Sequence, residues 1–183
     1  MRTMTIAIAG CSCSGKSTLC QAVQQRFAQG EVALLPTDQF RTPHIGEMRS
    51  PVTGQVFPDW SNPAYTDVPG ILSARQQHVQ NNVRAVLIEG LPALALDAIR
   101  SIADLRCFID LPPEDRLYRR ILRNMEKNGS TMQEVADYHL HSARFVEAQY
   151  CMPSRIHADL IFNGARPVDL TADLLARWIR SFA

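Results

Sequence analysis

Five short apolar runs punctuate the chain, at residues 5–9 (TIAIA), 32–35 (VALL), 85–88 (AVLI), 105–111 (LRCFIDL) and 158–162 (ADLIF). They are continuous rather than alternating, which predicts strands buried on both faces, as in a parallel sheet. Helical patterns fill the intervals. One runs over 16–28 and stops at Gly30. A second spans 67–81, with Asp67 as cap and Pro69 in its first turn. Pro112-Pro113 opens a third that reaches about Lys127 and carries Leu117, Ile121 and Met125 at i, i+4, i+8, predicting a buried apolar stripe. Gly129-Ser130-Thr131 breaks the chain, and Thr131 with Glu134 makes a capping box for a helix to about Tyr150. A last helix covers 170–182. Strands alternating with helices define an α/β domain with a parallel sheet. The long stretch without regular pattern, 40–66, is rich in Pro, Gly, Asn and Ser, and a loop of that length in a compact domain is usually functional.

Composition narrows the reading only a little. With 183 residues there is room for a single domain, 1–183, and 46% hydrophobic with 20% charged residues is ordinary globular composition. A formal net charge of +1 supplies no global field for nucleic acid or an anionic membrane, so attraction for an anion must be local. No run approaches the ~20 apolar residues of a membrane span. The run after Arg2 is too short for a secretory signal. The five cysteines, odd in number and irregularly spaced, read as reduced thiols rather than a disulfide framework or a metal site. The expectation is a soluble, cytoplasmic protein without nucleic-acid or membrane partners.

The strongest motif follows the first apolar run: Gly10-Cys11-Ser12-Cys13-Ser14-Gly15-Lys16-Ser17-Thr18 fits the pattern G-x-x-x-x-G-K-[ST] between a strand and a helix. Gly10 and Gly15 permit the backbone turn that aims successive N–H groups at phosphate oxygens. Lys16 would reach the outer phosphates of a nucleotide, Ser17 would offer a hydroxyl to Mg²⁺, and the helix beginning at Lys16 points its positive end at the same place. The side chains of Cys11 and Cys13 are expected to be free to vary, because the backbone does the binding. The motif establishes nucleotide binding and not a reaction. A guanine-reading N-K-x-D element is not present in the sequence.

Phosphoryl transfer needs more: a base for the acceptor hydroxyl, an acid for the metal, and cations for the transferring group. Asp38 follows the second run, at the strand end where open parallel sheets place their ligands, and could act as general base, hydroxyl-orienting group or metal ligand. Alone it would read as a turn-forming Asp. Glu89 ends the third run as the acid expected near Mg²⁺. Arg116, Arg119, Arg120 and Arg123 share one helical face, placed opposite the Leu117/Ile121 stripe. A run of this kind is often a solvated surface, yet arginine's planar fork suits phosphate, and Arg119, Arg120 and Arg123 are the candidates to touch ATP.

These elements together resemble the uridine kinase/phosphoribulokinase family, with nicotinamide riboside kinases as relatives. The likeness rests on the phosphate loop, Thr37-Asp38-Gln39-Phe40, the stretch from Asp59 to Asp67, Leu87-Ile88-Glu89-Gly90, the arginine run from Asp115 to Asn124, and Pro153 to Ile161. It implies a P-loop kinase domain, a three-layer α/β/α sandwich around a five-stranded parallel sheet. Substrate contacts are expected in 40–66 and an arginine-bearing lid at about 116–130. The implied reaction moves the γ-phosphate of ATP, with Mg²⁺, to a ribosyl hydroxyl, with Asp38 as base and Lys16, Arg120 and Arg123 aiding transfer. Asn124 stands where the family has Asp, and the hairpin that uridine kinases carry before the third strand is missing from 67–85. A small-molecule hydroxyl compound is the expected partner; a non-nucleoside alcohol kinase and an ATP-binding sensor are the alternatives. The joint presence of Asp38, Glu89 and the arginines speaks against the sensor. Family members are often oligomers, which leaves a homo-oligomer open.

Weaker candidates surround this set. Trp60, beside Asp59, could stack on a base or plug the core edge, and His44 or Arg49 could meet the acceptor. His139 and His141 lie two apart on a helix and do not make a metal pair. Residues 166–169 follow the last strand, where P-loop kinases often hold the adenine.

Overall fold

The computed structural model describes residues 2–182. The chain runs β1 (Met4–Ala9), α1 (Lys16–Gln24), β2 (Val32–Pro36), β3 (Glu47–Arg49), β4 (Val56–Pro58), α2 (Val68–Gln80), β5 (Ala85–Glu89) and α3 (Asp97–Ile102). It continues through β6 (Leu105–Asp110), α4 (Pro113–Asn128), α5 (Met132–Tyr138), α6 (Arg144–Val146), α7 (Met152–Ser154), β7 (Leu160–Asn163) and α8 (Val168–Ser181). All five apolar runs are strands of one sheet, in the order β2-β5-β1-β6-β7, with every pairing parallel.

Alternation along β1 explains the three layers. Met4, Ile6 and Ile8 join Leu19 and Val23 of α1 and Leu175 and Ile179 of α8 in one core. Ala7 and Ala9 meet Ile71 of α2, Ile99 of α3 and Phe108 in the other. Both faces are covered, which is why the strands read as unbroken hydrophobic runs. Thr5, fully buried on the second face, accepts hydrogen bonds from Arg75 of α2 at 3.0 and 3.1 Å. Among the described residues no helix is long and apolar enough to cross a membrane.

Four departures from the sequence reading shape the site. α1 ends at Gln24, short of residue 28, because Arg26 and Phe27 close tighter turns onto Val23 and Gln24 at 3.0 and 3.1 Å. The segment 40–66 holds the antiparallel pair β3–β4, registered Glu47 to Pro58 and closed by Ser50 N–H to Gln55 O at 2.8 Å. Between Asp67 and β5 lies the single helix expected, capped by Asp67 on Gly70 N–H at 3.0 Å. The helix begun by the Thr131/Glu134 capping box continues past Tyr150 to Ser154, through wide π turns at His139–Ala143 and Glu147–Cys151.

The fourth departure concerns α4. Its buried side chains are Arg116 and Arg120, each 8% exposed, while Leu117 and Ile121 are half-buried and Met125 is exposed. The predicted apolar stripe is therefore not the buried face of this helix. Burying two guanidinium groups requires a buried partner, and that partner is Glu147, thirty-one residues further on from Arg116.

Candidate active site

The loop after β1 has the backbone its sequence demands. Gly10 has φ +150°, and a Cβ there would lie 2.6 Å from Ile109 O and 2.7 Å from Ser14 Oγ. Gly15 has φ +106° and caps α1. Cys13, at φ +65°, holds a left-handed conformation that costs a non-glycine residue about 1–2 kcal/mol. Lys16 Nζ donates to Cys11 O at 3.1 Å. Cys11 is not free to vary. Its side chain is buried in the second core beside Cys151, and the hydrogen bond to Cys151, together with burial, pushes its thiol far above the ordinary range. Burial pushes Cys107 up to about 12 and raises Cys20 as well, so these thiols stay protonated.

Strand register brings the acids to the loop. Glu89, at the end of β5, pairs with Ile8 of β1 on one side and Pro36 of β2 on the other. It is buried and accepts a hydrogen bond from Ser17 Oγ at 2.7 Å. Asp38 sits in a 3₁₀ turn just after β2. That turn packs tightly on β5: a Cβ at Gly90 would fall 1.8 Å from Thr37 Oγ1. The Asp38 carboxylate is largely exposed and is gripped by Arg41 Nη2 at 2.6 Å, not by Ser17 or Glu89.

One cleft of about 520 Å³ gathers these groups at the carboxyl ends of β1, β2 and β5. Six basic side chains line it (Lys16, Arg41, Arg119, Arg120, Arg123 and Lys127) against two acidic ones, Asp38 and Glu89. A protein of net charge +1 thus concentrates its positive field where a polyanion would sit. A second hollow, of about 210 Å³, lies on the other side of Arg119, bounded by Ser14, Thr18, Asn163 and Arg166. The segment after β7, singled out for adenine, does border a cavity continuous with the phosphate loop.

The remaining candidates divide. Ser12, Cys13, Gly15, Ser17 and Thr18 line the main cleft, Ser14 lines the second hollow, and Gly10 and Cys11 line neither. Arg119 lines both cavities and donates to Gly164 O at 3.2 Å, while Arg123 Nε donates to Asn124 Oδ1 at 3.0 Å. Trp60 is half-exposed at the cleft under the Arg41 guanidinium, 5.7 Å from its ring centre, and does not plug the core. His44 and Arg49 are outside the lining; Arg49 braces the β3–β4 turn through Gly54 O at 2.8 Å. No group of three potential metal-ligating His, Cys, Asp or Glu occurs among the described residues.

The sequence reading passed over Arg41, Lys127 and Glu147. Arg41, directly after Asp38-Gln39-Phe40, was within reach of a motif argument. Glu147 carried no local signal at all.

A phosphate loop on the central strand, an acid on the neighbouring strand and an arginine helix facing both define a P-loop kinase. Comparison with known proteins places it more closely. The sequence profile of the Phosphoribulokinase / Uridine kinase family matches residues 59–171, more than half of the chain. A uridine kinase from Latilactobacillus sakei is 25% identical over 195 residues, covering 96% of this chain and 92% of that protein. One from Haemophilus influenzae is 26% identical over 182 residues, covering 85% and 84%. A crystal structure assigned as a fructose transport system kinase from Silicibacter sp. TM1040 superposes with a TM-score of 0.61 at 21% identity, covering 88% of this chain and 90% of that one, and shows the same fold. The chain belongs to the phosphoribulokinase/uridine kinase family and is an ATP-dependent small-molecule kinase.

Proposed function

We propose that this kinase transfers the γ-phosphate of ATP to a hydroxyl of a nucleoside or another ribosyl compound, with Asp38 engaging that hydroxyl. The observation that carries the reading is the convergence of Asp38, Glu89, Ser17 and Lys16 on one cleft whose opposite wall is arginine. Curated relatives that are uridine kinases, aligned over nearly the whole chain, support the nucleoside class.

Each group has a role that its position suits. The phosphate loop N–H groups and Lys16 hold the triphosphate, whose base would occupy the hollow near Asn163 and Arg166. Ser17 and Glu89 are adjacent hard oxygen donors, a set that suits Mg²⁺, and these two would hold it; the ion would neutralise phosphate charge. Asp38 accepts the proton of the attacking hydroxyl, and its grip by Arg41 fixes where the carboxylate sits. Arg120 and Arg123 supply positive charge to the transferring group, and Arg119 reaches the nucleotide from between the two cavities.

One feature favours a second reading, a non-nucleoside alcohol as acceptor. The chain passes from Asp67 to β5 through α2 alone, without a hairpin there. The β3–β4 pair lies earlier in the chain and on different residues.

The deciding experiment offers the enzyme MgATP with uridine, cytidine, nicotinamide riboside and a set of simple sugars and alcohols, and reads acceptor-dependent ADP release. A nucleoside or riboside giving the highest kcat/KM supports the first reading; a simple alcohol doing so replaces it with the second. With the best acceptor, Asp38→Asn lowers kcat by about 10²–10⁴ and leaves MgATP affinity within about threefold. Near-native turnover in that variant removes Asp38 as base.

A further inference from the structure

Glu147 is the most deeply buried acidic side chain among the described residues, at 1% exposure. It opens the second π turn, between α6 and α7, and π turns recur at functional sites. Its carboxylate touches three groups from two distant parts of the chain. Arg116 Nη1 donates to Oε2 in a short ion pair. Ser12 N–H, in the phosphate loop, donates to Oε1 at 3.1 Å. Arg120 Nη1 stands 3.9 Å from the same Oε1.

The two arginines are held differently. Arg116 is tied to protein twice, with Nε donating to Leu111 O at 3.1 Å and Nη1 to Glu147. Burial works against its charge, but Glu147 and its other neighbours together leave its pKa raised. Arg120 has Nη1 3.3 Å from His139 Nδ1 and its guanidinium 5.0 Å above the Tyr138 ring; its buried Nε has no partner, and it lines the main cleft. Arg116 is therefore bound up in the fold, whereas Arg120 is aimed and retains donor capacity.

We propose that Glu147 is a positioning residue for phosphoryl transfer: one buried carboxylate fixes both the Ser12 end of the phosphate loop and the Arg120 guanidinium. A buried ion cluster stabilises a fold no better than well-packed apolar groups would, since desolvation offsets much of the Coulomb attraction. A shared anion between loop and α4 does provide preorganisation, so that donors already face the developing charge and need not reorient during reaction. This proposal rests on the transfer reading given above.

The test separates folding from chemistry by pairing two changes. Glu147→Gln keeps an acceptor for Ser12 N–H but loses the charge that holds Arg120, and leaves two buried cations. Adding Arg116→Met removes the surplus cation with a side chain of similar reach. The double variant is expected to melt within about 5 °C of the native protein and to bind MgATP within about threefold by calorimetry. Its slow acceptor-free hydrolysis of MgATP should fall at least about tenfold, as misplacement of one charged group predicts. Hydrolysis within about twofold of native in the folded double variant overturns the proposal. A second measurement serves if hydrolysis is too slow to compare. The Arg120 Nε–H resonance should move or broaden in the double variant while the amides of Gly15 and Lys16 keep their shifts; an unmoved Arg120 signal also overturns it. Neither measurement uses an acceptor, so failure of the nucleoside reading would leave this result standing on its own.

Discussion

Arg120 and His139 show how a single contact can carry a pH dependence. Burial lowers the pKa of His139 from its ordinary 6.5; Glu147 pulls it upward, and Arg120, Arg116 and Arg144 push it down. Neutral, His139 can accept from Arg120; protonated, it becomes a third buried cation in this cluster. The folded pKa lies below the unfolded one, so the stability His139 contributes is intact above about pH 6.5 and is lost as pH falls below that value. Melting temperatures followed downward from neutral pH should drop less steeply in His139→Gln than in the native protein. Equal slopes would mean that His139 stays out of the titration. The thiols behave oppositely: Cys11, Cys20 and Cys107 are raised, so they take no part in this range.

At the scale of elements, the β3–β4 pair meets the helical side of the molecule through an aromatic contact that can be cut. Phe57 is buried and meets the Tyr138 ring edge-on, 6.1 Å between centres at 67°. On its other side, Tyr138 supports Arg120. Phe57→Ala, worth about 3 kcal/mol for a buried ring, should speed amide exchange across 47–58 and leave β1, β5 and β6 protected. A uniform rise across the sheet would show that the pair is part of the global core instead. This element was invisible in the sequence because its strands are three residues long and Glu47-Met48-Arg49 has no apolar repeat. α3, six residues after a turn, escaped for the same reason of length. The five sheet strands were legible because double-sided burial writes itself as an unbroken apolar run. The buried face of α4 was misread for a different reason. Periodicity assigns apolar residues inward, and only a distant acid, Glu147, makes an inward Arg116 and Arg120 affordable. Asp38, Glu89 and the phosphate loop were legible since strand ends and loop spacing are local; the ion cluster that links them to α4 is not.

At the scale of the whole molecule, the parallel order β2-β5-β1-β6-β7 places the phosphate loop on the central strand and both acids to one side of it. A chain with little net charge thereby builds a strongly basic cleft, six cations against two carboxylates, from residues between 16 and 127. That arrangement is wasted on a protein that only senses ATP, since a sensor needs no acid at the acceptor side. Transfer to a small hydroxyl compound can be followed atom by atom. ATP labelled at its γ-phosphorus is incubated with the native enzyme, Mg²⁺ and the pooled nucleosides, ribosides and alcohols. Label should appear in a phosphorylated small molecule, and in none when Lys16→Ala replaces the native protein. Label that stays in ATP, or that appears only as inorganic phosphate whatever acceptor is supplied, would contradict it.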